Sequence, residues 1–284
     1  MLKPTEILEI VDTAAETKAT APVRKLLILG MMAGAFIALA GLAATFVMAW
    51  TPTSSNFYGV AKMLSGLVFS AGLVMVVLGR AELFTGNSLM LTGVLSGRIK
   101  VSQMLRNWGL VYLGNFIGAM LVVLMAWGGG VFAGGNSAVG AMLGVIAINK
   151  IHIEFFPAIL LGILCNFLVC MAVWLAFSAK TLQGKVLAII FPITVFIICG
   201  FEHSIANMFY IPAGWFAAGC FDFWMIFANL IPVTIGNIIG GGLFVATAYH
   251  FALSDGKISL CLVKNNQKAK SKPQEKLPRQ LKKK

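Results

Sequence analysis

Four ionisable residues stand where a membrane-crossing sequence least accommodates them. Arg80 and Glu82 lie in RAELFTGN, directly after the uncharged run MLSGLVFSAGLVMVVLG, and Glu202 and His203 lie in GFEHSIAN, after the uncharged VLAIIFPITVFIIC. A charged side chain at the centre of a bilayer costs about 3 kcal/mol on insertion scales, so each of the four needs a reason to be there. Carboxylates at that depth accept hydrogen bonds from loop N–H groups or pair with a cation. Glu82 and Glu202 therefore read as anchors that hold interrupted helices in shape, with Asn87 and Asn207 as their companions in a shared E-x-x-x-x-N pattern. Arg80 either supplies a cation to such an anchor or faces an inner mouth. His203 differs from His152 and His250, which fall near a loop and a helix end, because it sits at mid-depth. Its imidazole titrates near neutral pH, which suits a place in a conduction path as well as a buried structural role.

The elements that must position these residues follow from composition. The 284 residues are 59% hydrophobic and 11% charged, with a mean hydropathy of +0.89, which places the chain among integral membrane proteins. Six stretches, 26–50, 63–95, 108–127, 155–177, 186–214 and 223–253, approach or exceed the roughly 20 apolar residues a spanning helix needs. Arg24 and Lys25, then Arg98, Lys100 and Arg106, then Lys180 and Lys185, mark alternate loops. The positive-inside rule therefore puts both termini in the cytoplasm of a multi-pass cell-membrane protein. Lys62 and Lys150 are the main cations of the opposite loops.

The net charge of +12 suggests nucleic acid until it is located: from Lys264 to Lys284 nine Lys or Arg stand against one acid, Glu275. Residues 254–284 thus read as a disordered basic cytoplasmic tail, and no nucleic-acid partner is expected. Residues 1–25 hold an amphipathic segment with Ile7, Leu8, Ile10, Val11, Ala14 and Ala15 on one helical face, a surface helix at the cytoplasmic side. Residues 26–253 form the membrane domain. Cys165, Cys170, Cys199, Cys220 and Cys261 have no metal-ligand spacing and read as small buried hydrophobes, so no metal or cofactor is expected.

The membrane domain repeats itself. NWGLVYLGNFIG, from Asn107, and NLIPVTIGNIIG, from Asn229, are identical at six of twelve positions, and ELFTGN faces EHSIAN at nearly the same offset. Two halves of three spans each follow, with the second and fifth helices broken. An odd number of spans per half requires the second half to be inverted, and paired broken helices point to a substrate site near the midplane. Gly114 to Gly118 and Gly236 to Gly240 are GxxxG pairs that allow close helix approach, within a protomer or between protomers.

Other function classes fit less well. A haem electron-transfer enzyme needs more central histidines, and Ser204 beside His203 is adjacency in sequence rather than a hydrolase site, so an enzyme is not expected. The paired Asn-Pro-Ala signature of aquaporins is absent, which leaves other channels. ELFTGN, CNFLVCMAVW, GFEHSIANM and NLIPVTIGNIIGGG together resemble the formate/nitrite transporter family over about residues 25–253.

That resemblance implies an all-α, aquaporin-like protomer in a homopentamer, conducting a small monovalent weak-acid anion. Formate is favoured; nitrite or hydrosulfide, and after them a neutral solute, are the alternatives. It implies a central His203 faced by Thr85, and Lys150 and Asn166 near the central chamber. A cytoplasmic constriction would be formed by Leu83, Phe84 and Val169, and a periplasmic one by Phe196 and Leu73. The N-terminal helix, Thr5 to Lys18, would act at the cytoplasmic mouth.

Overall fold

The computed structural model describes residues 2–51, 54–220 and 223–254. The expected tail from 255 onward, with Cys261, lies outside the described residues. Among those residues the chain is helical throughout, without strands. Helix α1 (Pro4–Ala19) precedes the spans α2 (Val23–Met48) and α3 (Tyr58–Leu78). After a break, a 3-10 turn (Gly86–Met90) leads into the short α4 (Leu91–Leu95), and α5 (Val101–Gly128) closes the first half.

The second half repeats this order. It runs through α6 (Ala138–Ile151), α7 (Phe155–Ser178), α8 (Leu182–Cys199), α9 (Ser204–Ala218) and α10 (Phe223–Ile238). The last helix passes through a π-helical stretch (Ile239–Thr247) into α11 (Ala248–Leu253). Among the described residues six helices are long and apolar enough to cross a membrane. The short α6, the counterpart of α1, lies outside the six stretches expected from hydropathy.

The spans close around the half-helices: α2 packs on α3 and α5, α3 on α8, and α7 on α8 and α10, with α9 against α5 and α6. Phe69, Ile205, Met208, Phe209 and Ile211 are fully buried between them. Close approach explains the small residues. A Cβ on Gly114 would meet Leu27 O at 2.9 Å and Gly30 Cα at 3.0 Å, and one on Gly118 would overlap Met31 O. Gly236 and Gly240 are pressed in the same way against Ile159 O and Ile163 O. Both GxxxG pairs thus pack α5 on α2 and α10 on α7 within one protomer.

Each break has the same construction. The α3 end is closed by bonds from Gly79 N to Met75 O (2.8 Å) and from Ala81 N to Val76 O (2.9 Å). The α8 end is closed by Gly200 N to Ile197 O and Phe201 N to Phe196 O, both 3.1 Å. Such caps place one residue in the left-handed region. In α8 that residue is Gly200 (φ 70°), whereas in α3 it is Arg80 (φ 53°). Two of the expected buried cysteines are corrected here: Cys165 and Cys170 are buried, but Cys199 and Cys220 are exposed, at helix ends where no packed neighbour covers them.

Candidate functional site

A freed backbone segment inside a membrane domain must have its polar groups satisfied by protein, and two matching sets of side chains do this. In the first half, Asn115 donates to Gly30 O (2.8 Å) and Glu82 O (2.9 Å) and accepts from Phe84 N (3.0 Å). Asn237 does the same in the second half, with Gly162 O (2.8 Å), Glu202 O (2.9 Å) and Ser204 N (2.9 Å). Glu82 N and Glu202 N reach Leu29 O and Leu161 O. Each break is therefore sewn to the first span of its own half, α2 or α7, by one asparagine and one backbone bond.

The glutamates are held by matching rings of partners. Lys18 Nζ meets Glu82 Oε2 at 2.7 Å, Asn87 Nδ2 donates to the same oxygen at 2.8 Å and to Asn107 Oδ1, and Asn107 Nδ2 returns to Lys18 O. Lys150 Nζ meets Glu202 Oε1 at 2.8 Å, Asn207 Nδ2 donates to Glu202 Oε2 and Asn229 Oδ1, and Asn229 Nδ2 returns to Lys150 O. The cation of Glu82 is thus Lys18 from α1, not Arg80. Arg80 is exposed and lines the adjacent cavity instead of joining the network. Lys150 is likewise an ion-pair partner, 5.6 Å from the Tyr210 ring, rather than a free charge in the chamber.

His203 and Thr85 meet where the two breaks converge. His203 Nδ1 accepts the Ala206 N–H at 3.1 Å, capping α9. In the neutral ring the proton then sits on Nε2, which donates to Thr85 Oγ1 at 2.9 Å and leaves the threonine hydroxyl hydrogen for another acceptor. His203 is 3% exposed and Thr85 fully buried. Asn166 stands behind the pair: its Nδ2 bonds Thr85 O (3.2 Å), Ser88 Oγ (3.2 Å) and Asn237 O (2.6 Å). It holds backbone in place and offers no amide hydrogen to a chamber.

Apolar side chains lie on either side. The Phe196 ring stacks on His203 with centroids 6.0 Å apart and meets Phe69 edge-on at 5.5 Å. Leu73, expected beside Phe196, instead lines a cavity of about 630 Å³ together with Leu83, Lys18 and Glu82. It lies one helical turn further along α3 than Phe69, toward the break, and Phe69 takes the place expected for it. Phe84 packs edge-on against Tyr112 (4.8 Å) and Trp108 (5.9 Å), and Val169 is buried.

Lys18, Asn107, Asn115, Asn229 and Asn237 were not singled out from sequence, although the four asparagines head or sit inside the repeated N…GNxIG motif. Only α6 as a partner for α1 would have drawn attention to Lys18. No group of three or more His, Cys, Asp and Glu able to hold a metal ion occurs among the described residues.

A family model described as Formate/nitrite transporter matches residues 5–251. The formate channel FocA of Escherichia coli (strain K12) is 39% identical over 270 residues, covering 88% of this chain and 93% of that protein. The formate channel BtFdhC of Bacillus thuringiensis is 39% identical over 253 residues, covering 87% and 94%. Among solved structures, a pentameric formate channel with formate bound superposes with a TM-score of 0.70 at 36% identity, over 81% of this chain and 97% of that one. An FNT family ion channel does so with a TM-score of 0.78 at 30% identity, over 87% and 99%.

Proposed function

Because the chain belongs to the formate/nitrite transporter family, we propose that it forms a homopentamer in the cell membrane, both termini cytoplasmic, each protomer conducting a small weak-acid anion, formate foremost. The observation that carries this reading is the Thr85–His203 pair at the meeting of the two breaks, with Leu73 and Leu83 toward one mouth and Phe69 and Phe196 toward the other. The 39% identity to named formate channels supports formate over nitrite and hydrosulfide.

Dry side chains exclude hydrated ions because a bare charge in an apolar slit loses its hydration without compensation. A weak acid lowers that cost in two ways. It accepts a hydrogen bond from the Thr85 hydroxyl, whose hydrogen the histidine leaves free, and in its protonated form it crosses as a neutral molecule.

Full protonation of His203 requires a proton on Nδ1, which then releases the Ala206 N–H that it caps, a cost of about 1 kcal/mol. The resting role of His203 is accordingly that of a neutral hydrogen-bond donor that orients Thr85, with proton transfer to the anion as the step that requires opening of the cap.

Purified protein in liposomes, assayed for formate, nitrite and hydrosulfide flux at two pH values, tests the reading. Passage of a neutral solute with none of these anions overturns it. His203→Asn keeps an acceptor and a donor, whereas His203→Phe keeps neither. Unchanged pH-dependent flux in both variants removes His203 from the conduction step.

A further inference from the structure

The two mouths carry different charge. At the outer one Lys150 is paired with Glu202, and Lys62, without a carboxylate in ion-pair distance among the described residues, donates to the Ile197 carbonyl at 3.2 Å. The cavity at the inner mouth is lined by Lys18, Lys25, Arg80 and Lys185. Among the described residues Lys18 alone of these four has a carboxylate within ion-pair distance. Three uncompensated cations thus surround one concavity of about 630 Å³, far larger than a one-carbon anion.

Arg80 carries the argument further. It occupies a left-handed backbone position that the other half fills with Gly200, where a residue other than glycine carries a conformational cost. An arginine kept against that cost presents a planar, always-charged fork suited to oxyanions. It lines the same cavity as Ala81, Glu82 and Leu83, so a ligand held on it shares that cavity with the break and with Leu83.

We propose that this inner vestibule binds a multivalent phosphate anion, of the size of a diphosphate group, which bridges Arg80 to Lys25 and Lys185 and occludes the mouth. A monovalent anion samples the field of the three cations and moves on. A diphosphate pairs with two or more of them at once, and it is too large and too highly charged to pass the slit between Leu73 and Leu83. Occlusion from the cytoplasmic side would couple anion flux to the phosphorylated metabolites of the cell interior. The occlusion rests on the anion-channel reading above; the binding does not.

Inorganic pyrophosphate is the probe. Calorimetry on the solubilised pentamer reads binding, and formate flux in liposomes with pyrophosphate on one face at a time reads occlusion. Flux without pyrophosphate checks the channel reading separately. Arg80→Gly relieves backbone strain and therefore folds, and Lys185→Gln is a second, conservative change. The expected result is inhibition from the cytoplasmic face at least tenfold stronger than from the other face, with binding weakened at least tenfold by either variant. Equal inhibition from both faces, inhibition matched by sodium chloride of the same ionic strength, or binding unchanged in both variants would overturn the proposal.

Discussion

The two halves of this protein share one scaffold and differ where one function is needed from two copies. Lys18, Glu82, Asn87, Asn107 and Asn115 have counterparts in Lys150, Glu202, Asn207, Asn229 and Asn237, and the two networks share all but one type of bond: Lys18 also donates to Asn87 Oδ1 at 2.9 Å, whereas Asn207 Oδ1 has no partner among the described residues. The departures are few. Leu83 stands where the second half has His203, Arg80 where it has Gly200, and Gly34 where it has Asn166. Gly34 lies so close to the Asn115 backbone that a Cβ would overlap it. In the second half the last span widens into a π-helix, and Asn166 fills the space, reaching Asn237 O, Thr85 O and Ser88 Oγ. π-Bulges often mark functional sites. Here one makes room for the side chain that secures Thr85 opposite His203. Scaffold residues recur in both halves because each break has the same unmet backbone groups; His203 and Thr85 occur once each, as the proposed single conduction site requires.

Exchanging residues between halves tests this division. Gly34→Asn places in the first half what the second accommodates, but α5 has no π-helical widening to receive it. Folded protein should fall below detection by size-exclusion chromatography, because overlap with backbone cannot be relieved by a rotamer change. Recovery of a normal pentamer would mean that the π-helix is not what makes room.

The ion pairs should rank by burial. Side-chain exposure is 14% and 5% for Lys150 and Glu202, against 25% and 12% for Lys18 and Glu82. Removing one partner of a buried pair costs on the order of 3 kcal/mol. Glu202→Gln should therefore lower the unfolding temperature in detergent more than Glu82→Gln, since better-solvated Lys18 tolerates the loss. The reverse order would show that docking of α1 matters more than burial.

The caps should respond with opposite signs: Arg80→Gly is expected to gain about 1 kcal/mol and Gly200→Ala to lose about as much, read by the same thermal shift.

The smallest effect belongs to α1, which α6 mirrors without such a clasp. Arg98 forks onto Glu9, with Asp12 and Glu16 nearby. Its hydrogen bond holds the Glu9 carboxyl below the usual glutamate range and raises the Arg98 guanidinium. A lowered folded value means that the contribution is fully present above the ordinary glutamate pKa of about 4.3 and is lost as pH falls through the lowered value. Hydrogen-exchange protection factors in α1, taken relative to the intrinsic rate at each pH, should therefore be flat from pH 8 to 5 and fall below 4, while Arg98→Ala should lower them at neutral pH. A transition near pH 6 would assign α1 release to another group.

Much of this was legible in the sequence. Uncharged runs bounded by RAELFTGN and GFEHSIAN gave the spans and their breaks, because a charge at that depth is tolerated only with a partner. The repeated GNxIG gave the two halves and contained Asn115 and Asn237. α6 was harder to see: at 14 residues it is too short to read as a span, and its likeness to α1 lies in position and bonding rather than in residue types.

By itself the sequence determined that the chain enters a membrane, where its helices break, and that it is built twice, since hydropathy and repeated motifs are local properties carried by adjacent residues. Only the tertiary structure decided which cation serves which glutamate, that Leu73 sides with Leu83 and Phe69 with Phe196, that Asn166 braces Thr85, and that Arg80 is left uncompensated at a mouth. Those are pairings between residues many positions apart. Hydrogen bonds and ion pairs select partners by distance and direction, which hydropathy does not encode.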